Sequence, residues 1–425
     1  MCAVVLCVGI SCHAQGASTT PTVSSTLQST SEQTLEQLAA QLLANNAQLR
    51  SAAGLGAAAQ FGVEPARTLD NPTFGITQDP MRHNPFAVGT STSMSWSLTQ
   101  NLPWPGKKQL SGEIAQSQAN FTKEQTELLK VQLLGQLKTT WSNWQQTQAQ
   151  MSMTQIQAER LEQVKEIVKL RYANNASAYA DYINAQVALA QMQSDLLGLK
   201  RQSQSLLAQI GVLIGLEPSH ALRIKVESAQ VDTRVLTLDQ FKQKAQELHP
   251  AIKASRHSLE AAQHNVALAE LGKRPDFSVS MIAHPTYAPW GTGGNDAYGL
   301  NVAATFPLYY ASKERNLIDQ AKAQLGAARD ADESVQQQVA LAVETAYLQW
   351  LQSLQQFKLL EERVLAQAKI AYRMALGNYS NNQATYMDVL NAYNALKGAE
   401  FSIEQARSTA LQARIGLDVA VGESK

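Results

Sequence analysis

The chain has 425 residues, with 35 Lys plus Arg against 35 Asp plus Glu, and only 16% of its residues are charged. A net charge of zero excludes the basic excess with which nucleic-acid binders neutralise phosphates. The length would accommodate two or three ordinary domains. The polar bulk comes from Gln, Ser, Thr and Asn, which suits helices that pack on several sides or face confined water.

The first predicted element is a leader. Ala3 to Ile10 is an apolar core, and Cys12-His13-Ala14 before Gln15 fits a small-x-Ala cleavage site, so residues 1–14 read as a signal peptide. All three cysteines (Cys2, Cys7 and Cys12) fall inside it, so the mature chain is expected to use no disulfide and no thiol chemistry. A lipoprotein reading of Cys12 needs an aliphatic residue three positions earlier, where Gly9 stands. No later segment offers about 18 consecutive apolar residues, so no transmembrane helix is expected.

A helix near Thr34–Glu64 comes next. Two segments with period-two alternation follow, roughly Asn71–Asp79 and Thr92–Leu102, joined by a turn-rich loop over Pro80–Gly89. In the second segment Met94, Trp96 and Leu98 alternate with Ser95, Ser97 and Thr99. No proline lies between Pro105 and Pro218, and Gln, Ala, Leu, Glu and Lys dominate that tract. Leu133, Leu134, Leu137, Trp141 and Trp144 keep helical spacing in it, as do Leu161, Val164, Ile167 and Val168. The spacing predicts a helix from about Lys107 to Ala173, roughly 100 Å long at 1.5 Å per residue. A tip over 173–176 and a returning helix complete the tract.

Gly215–Leu236 reads as a linker, and the pattern then repeats. A helix is predicted near Thr237–Leu271, with alternating segments over Asp276–Pro285 and Ala297–Phe306 and a Gly-rich loop over Pro285–Asp296. After Pro307 there is no proline. Val339, Val343, Ala346, Tyr347 and Trp350 carry the helical stripe, with Trp350 in the place of Trp144, and a tip falls at 380–383. Trp104, Trp290, Tyr309 and Tyr310 flank the strands as interfacial aromatics would.

The duplication is most exact at the two tips. Arg171-Tyr172-Ala-Asn174-Asn175-Ala-Ser-Ala-Tyr179-Ala-Asp181-Tyr-Ile-Asn184 returns about 207 residues later as Asn378-Tyr379-Ser-Asn381-Asn382-Gln-Ala-Thr-Tyr386-Met-Asp388-Val-Leu-Asn391. A period this long is not a solenoid. An Asn pair suits a tip that needs a left-handed residue. Strands of this length with one apolar face suit an outer-membrane barrel. Four strands cannot close one, since about eight is the smallest natural number, and open edges are not tolerated in lipid. Several chains must therefore pool their strands.

On these residues the chain resembles the TolC-type outer-membrane efflux family over essentially its whole mature length. Gln100-Asn-Leu-Pro103-Trp104-Pro105-Gly106-Lys107-Lys108 is similar to the strand-to-helix junction of members paired with metal- and drug-exporting pumps, and leans towards the heavy-metal branch with pumps of the RND type. The resemblance implies a mostly α fold with a small β portion, built from a duplicated helix-strand-strand-long-hairpin unit. The two repeats would span 15–216 and 237–422, joined by the linker 217–236. It further implies a homotrimer in the outer membrane, with a pooled 12-stranded barrel in lipid and an α-helical tunnel across the periplasm. The expected partners are a periplasmic adaptor and an inner-membrane pump, with no cofactor and no nucleic acid.

For the site, Asp181 and Asp388 are expected about two helical turns inside the tunnel mouth. There six carboxylates per trimer would repel, raise one another's pKa and favour cations. Tyr172, Tyr379, Asn184 and Asn391 join them as gate or selectivity positions. The family closes its mouth with a Tyr, an Asp and an Arg; Tyr379 and Asp181 match, but Ala384 stands at the Arg position and Asn391 replaces a second Asp. Asn174, Asn175, Asn381 and Asn382 are expected to contact the adaptor. The bland alternatives are capping aspartates, tyrosines packed between helices and turns needing only backbone geometry. The seven His form no ligand pattern, His257 and His264 read as a polar helix face, and no metal site is expected. No catalytic or phosphate-binding motif occurs, so no enzyme is expected. A secreted structural coiled-coil protein and a periplasmic adaptor remain as alternative readings.

Overall fold

A computed structural model describes residues 32–79, 93–175, 177–217, 222–226, 237–284, 297–381 and 383–423. The leader over 1–14, the loops Pro80–Gly89 and Pro285–Asp296, Trp290 and Asn382 lie outside the described residues.

Each repeat opens on a Thr-x-x-Gln capping box, which satisfies two orphan donors of the first helical turn. Thr34 and Gln37 start α1 (Leu35–Asn45), and Thr237 and Gln240 start α6 (Leu238–Leu248). Neither first helix is continuous, contrary to expectation. The first repeat runs α1, α2 (Ala47–Phe61) and α3 (Val63–Arg67). In the second, α6 is followed by α7 (Pro250–Glu270). The breaks fall at Asn46 and His249, both in extended backbone and both N-caps of the next helix. At His249 the following Pro250 sterically disfavours the helical conformation.

Four strands form one antiparallel sheet in the order β1 (Thr73–Asp79), β2 (Ser93–Leu102), β3 (Asp276–His284) and β4 (Ala297–Thr305). The register sets Ile76 against Trp96, Leu98 against Met281 and Met281 against Leu300. Because side chains alternate across a strand, these residues share one face with Phe74, Phe277, Tyr298 and Val302. That face is exposed: Leu300 keeps 70% of its surface and Tyr298 79%. The other face carries Gly75, Ser97, Thr99, Ser280 and Asn301, with a Thr99–Ser280 hydroxyl bond of 2.8 Å. Among the described residues β1 and β4 are the free edges of the sheet.

The sheet meets the helices at the Pro-Trp-Pro-Gly junction. Gly106 has φ +96°, a left-handed conformation that glycine adopts without penalty. Lys107 binds both carboxylate oxygens of Asp276 at 2.8 and 2.9 Å, and Asp276 also accepts from the Trp104 N–H. Trp104 stacks on Phe277. The strand-to-helix junction of the first repeat is thus tied to the start of β3 in the second.

The ascending helix α4 (Lys107–Ala173) has 67 residues and returns through α5 (Tyr179–Leu213). Its counterpart is α8 (Glu314–Leu359), a π-helical turn over Leu360–Val364, and α9 (Leu365–Ser380), returning through α10 (Tyr386–Val421). That π turn is an interruption the composition did not reveal. A π turn is an α-helix with one inserted residue. The repeats record the insertion: the separation of Tyr172 and Tyr379 is one residue longer than that of Trp144 and Trp350. No described helix is long and apolar enough to cross a membrane.

The core is duplicated as well. Leu38, Leu42, Leu137, Trp144, Leu206, Ile210 and Ile214 pack together in the first repeat. Phe241, Ala245, Val343, Trp350, Ala413, Leu417 and Val421 occupy the equivalent positions in the second. Within the expected linker, Ile224 is buried in the first cluster, and its segment forms a parallel bridge with Gln33. α7 packs between α4 and α8, and α10 packs along α4, so the two hairpins lie side by side.

Candidate functional site at the hairpin tips

Each ascending helix ends in the same backbone conformation, at Asn174 (φ −95°, ψ 15°) and at Asn381 (φ −91°, ψ 12°). Asn175 follows in the left-handed region with φ +56°, the role expected of an Asn in the pair. Asn174, Asn175 and Asn381 are exposed, as are Asn184 and Asn391 further along.

The two aspartates stand nearer the tip than expected. α5 begins at Tyr179 and α10 at Tyr386, so Asp181 and Asp388 lie in the first helical turn, not two turns inside. Asp388 completes a capping box with Thr385, whereas α5 has no side-chain cap at Ala178. Thr385 donates its N–H and its hydroxyl to Asp388 Oδ2 at 2.8 and 2.7 Å, and the Asp388 N–H donates back to Thr385 Oγ1. Ser177 donates its hydroxyl to Asp181 Oδ2 at 3.1 Å. Asp388 is fully exposed, and the two Thr385 donors pull its pKa below the usual carboxylate value. Hydrogen bonds to the charged form outweigh burial here. The rise expected from crowding concerns six carboxylates in a trimer and is a separate effect.

The tyrosine pair splits. Tyr172 is 46% exposed and leans on Tyr179 across its own tip, with ring centroids 5.4 Å apart. Tyr379 is 2% exposed and packs with Tyr386, Val389, Val164, Val168 and Ala185. These residues come from α4, α5, α9 and α10, so one apolar cluster binds both tips. Burial, then the charge of Asp181, raises the pKa of Tyr386, which puts Asp181 beside this cluster. Neither the Tyr379 nor the Tyr386 hydroxyl has a partner among the described residues.

The sequence reading missed Arg171. Its guanidinium lies over the Tyr379 ring at 4.2 Å from the centroid and donates to the Tyr379 carbonyl. Between the repeats Arg171 aligns with Asn378, a residue of different chemistry. The repeat therefore gave no signal for it. A second missed group ties the hairpins further up. Arg160 donates to both Glu400 oxygens at 3.1 Å, Gln157 donates to the same carboxylate, and the Tyr393 hydroxyl donates to the Gln157 carbonyl. Burial, with Tyr372 beside it, pushes the Tyr393 phenol up to about 12.

The histidines behave as polar face residues. His257 pairs with Glu260 and His264 with Glu113. Among the described residues no three acidic, His or Cys side chains gather in a metal-holding group.

The family model described as outer membrane efflux protein matches residues 38–216 and 242–423. The outer membrane efflux protein BepC of Brucella suis biovar 1 (strain 1330) is 28% identical over 176 residues. That match spans 41% of this chain and 38% of the relative's length. The structure of CusC superposes with a TM-score of 0.79 at 17% identity, covering 92% of each chain. The outer membrane protein VceC of Vibrio cholerae gives 0.75 at 18% identity, covering 92% of this chain and 96% of its own. These likenesses establish the fold. With nearly all of both repeats matched by the family model, the chain belongs to the outer membrane efflux protein family.

Proposed function

We propose that this member of the family is the exit duct of a tripartite efflux system, passively conducting small molecules or metal ions outward from an inner-membrane pump through a periplasmic adaptor. The sheet carries the reading. It has two free edges, β1 and β4, and one continuous exposed apolar face. Exposed edges invite pairing, and lipid demands it. Three copies would pair β4 of one chain with β1 of the next and close twelve strands, with the apolar face in lipid. The helices of three copies would enclose the tunnel across the periplasm.

In that assembly residues 1–14 act as leader, 15–216 and 237–422 as the two repeats, and 217–236 as their link. Asp181, Asp388, Tyr172, Tyr379, Asn184 and Asn391 form the inner mouth. Six aspartates there would favour cations over anions. Asn174, Asn175, Asn381 and Asn382 meet the adaptor, and the pump is of the RND type. The chain supplies a path and no covalent chemistry.

Reconstitution in planar bilayers tests this. Discrete currents from a heat-dissociable trimer are expected, with cation selectivity reduced in Asp181→Asn/Asp388→Asn. A folded protein that never conducts would favour a structural envelope role instead.

A further inference from the structure

We propose that Arg171 is the positioning residue that holds the tip of the second hairpin against the first, making the closed mouth depend on a clamp that only one of the two repeats supplies. The inference rests on the reading of the tips as a gate. Arg171 lies in the last turn of α4, and Tyr379 in the last turn of α9. The last carbonyls of a helix lack intrahelical partners and carry the negative end of its dipole. A guanidinium that reaches one of them from another helix ties the two ends together. Here it does so while its planar face covers the Tyr379 ring at 4.2 Å, a cation–π geometry.

The contact is made once. Asn378 occupies the Arg171 position of the second repeat, and Tyr172 of the first repeat, the tyrosine it would have to cover, stays exposed. The asymmetry of the tyrosines follows: Tyr379 is fixed under Arg171 and inside the four-helix cluster, and Tyr172 is not. The clamp uses the ring face and the backbone carbonyl of Tyr379. Its hydroxyl has no partner among the described residues, so the clamp does not run through the phenol oxygen. This sets the device apart from a lock made through a tyrosine hydroxyl. Ala384, where an arginine was expected, then need not weaken the mouth, because the cation comes from the neighbouring hairpin.

The test uses the full-length, detergent-solubilised trimer carrying Val389→Cys as a reporter, since Val389 is fully buried in the tip cluster. Alkylation by a charged maleimide is quantified on the peptide containing residue 389, and single-channel currents are recorded in parallel. Arg171→Ala should raise labelling about tenfold, the scale of one charge-assisted contact, and should raise leak current. Arg171→Lys, which keeps the charge without the planar stack, should fall between Ala and the parent. Tyr379→Phe, which keeps the ring and the carbonyl, should raise labelling much less than Arg171→Ala does. If Arg171→Ala does not assemble, Arg171→Gln takes its place with the same expectation. Parental labelling in Arg171→Ala or Arg171→Gln overturns the clamp. So does a Tyr379→Phe effect as large as that of Arg171→Ala, because the hydroxyl would then carry the contact. Labelling that rises without any change in current leaves the clamp standing and removes the gate reading instead.

Discussion

Asn46 and Leu213 meet end to end: the Asn46 Nδ2 donates to the Leu213 carbonyl at 2.8 Å, while its Oδ1 accepts from the Leu49 N–H at 3.1 Å. One buried side chain thus closes the N-terminus of α2 and the C-terminus of α5, and these two helices meet end to end beside α4. Replacing an N-cap Asn by Ala costs about 1 kcal/mol, and the orphaned Leu213 carbonyl adds roughly another 1–3 kcal/mol. Asn46→Ala should therefore lower stability by about 2–4 kcal/mol in total. Urea unfolding of the detergent-solubilised protein measures this, and an unchanged midpoint would refute the double cap.

In the second repeat His249 takes the place of Asn46, with its Nδ1 accepting from the Ala251 N–H at 3.2 Å. Only the neutral ring with a free Nδ1 can accept that bond. Burial lowers the pKa of His249 from its ordinary 6.5, so the folded state binds its proton less readily than the unfolded chain does. The stabilisation is then complete above the unfolded value and is lost as pH falls below it through the folded value. The melting temperature should drop between about pH 7.5 and about pH 5. His249→Asn, which caps without titrating, should flatten part of that slope. An identical slope in the variant would exclude His249 as its source.

The limits of α4 were legible because Gly106 and the Asn pair bracket a Pro-free run, and the strands because their alternation is clean. The breaks at Asn46 and His249 were harder to see. Asn45-Asn46 sits inside an apolar periodicity that continues through it, though Pro250 was a usable signal. The π turn over Leu360–Val364 is invisible to composition, since its residues are ordinary helix formers. It shows only as the extra residue between Trp350 and Tyr379. At the tip, the repeat located Tyr379 and Asp388 but could not separate their environments. Burial of Tyr379 depends on packing against the first hairpin, and that is a long-range fact. Arg171 went unmarked because it matters through its difference from Asn378.

Where α5 and α10 end, glycine is required twice. Gly215 has φ +82° and Gly422 φ +87°. A Cβ at Gly215 would lie 2.7 Å from the Asn45 carbonyl oxygen, and one at Gly422 would lie 2.9 Å from the His249 Cα. Both obstacles are backbone, so neither can swing aside. A left-handed conformation alone costs a non-glycine residue roughly 1–2 kcal/mol. Gly215→Ala and Gly422→Ala should each exceed that cost, whereas Gly198→Ala, which meets nothing within 4 Å, should stabilise α5 by up to about 1 kcal/mol. Thermal melts of the three variants give the order, and equal effects would deny the end-to-end stacking.

Leu300 and Asn301 are neighbours in β4 on opposite faces, with Leu300 across from Met281 and Asn301 across from Ser280. If the apolar face lies in lipid, an arginine in mid-strand on that face costs about 2–4 kcal/mol near the membrane midplane, while the opposite face faces water. Leu300→Arg should therefore deplete heat-dissociable trimer from the outer-membrane fraction, and Asn301→Arg should leave it nearly intact. The comparison is internal, because the two sites share a strand, a register and the same added side chain. A soluble capping sheet would tolerate both, as each residue is exposed in the single chain. Equal tolerance would thus argue against membrane insertion, and equal loss would mean that β4 packs on both faces.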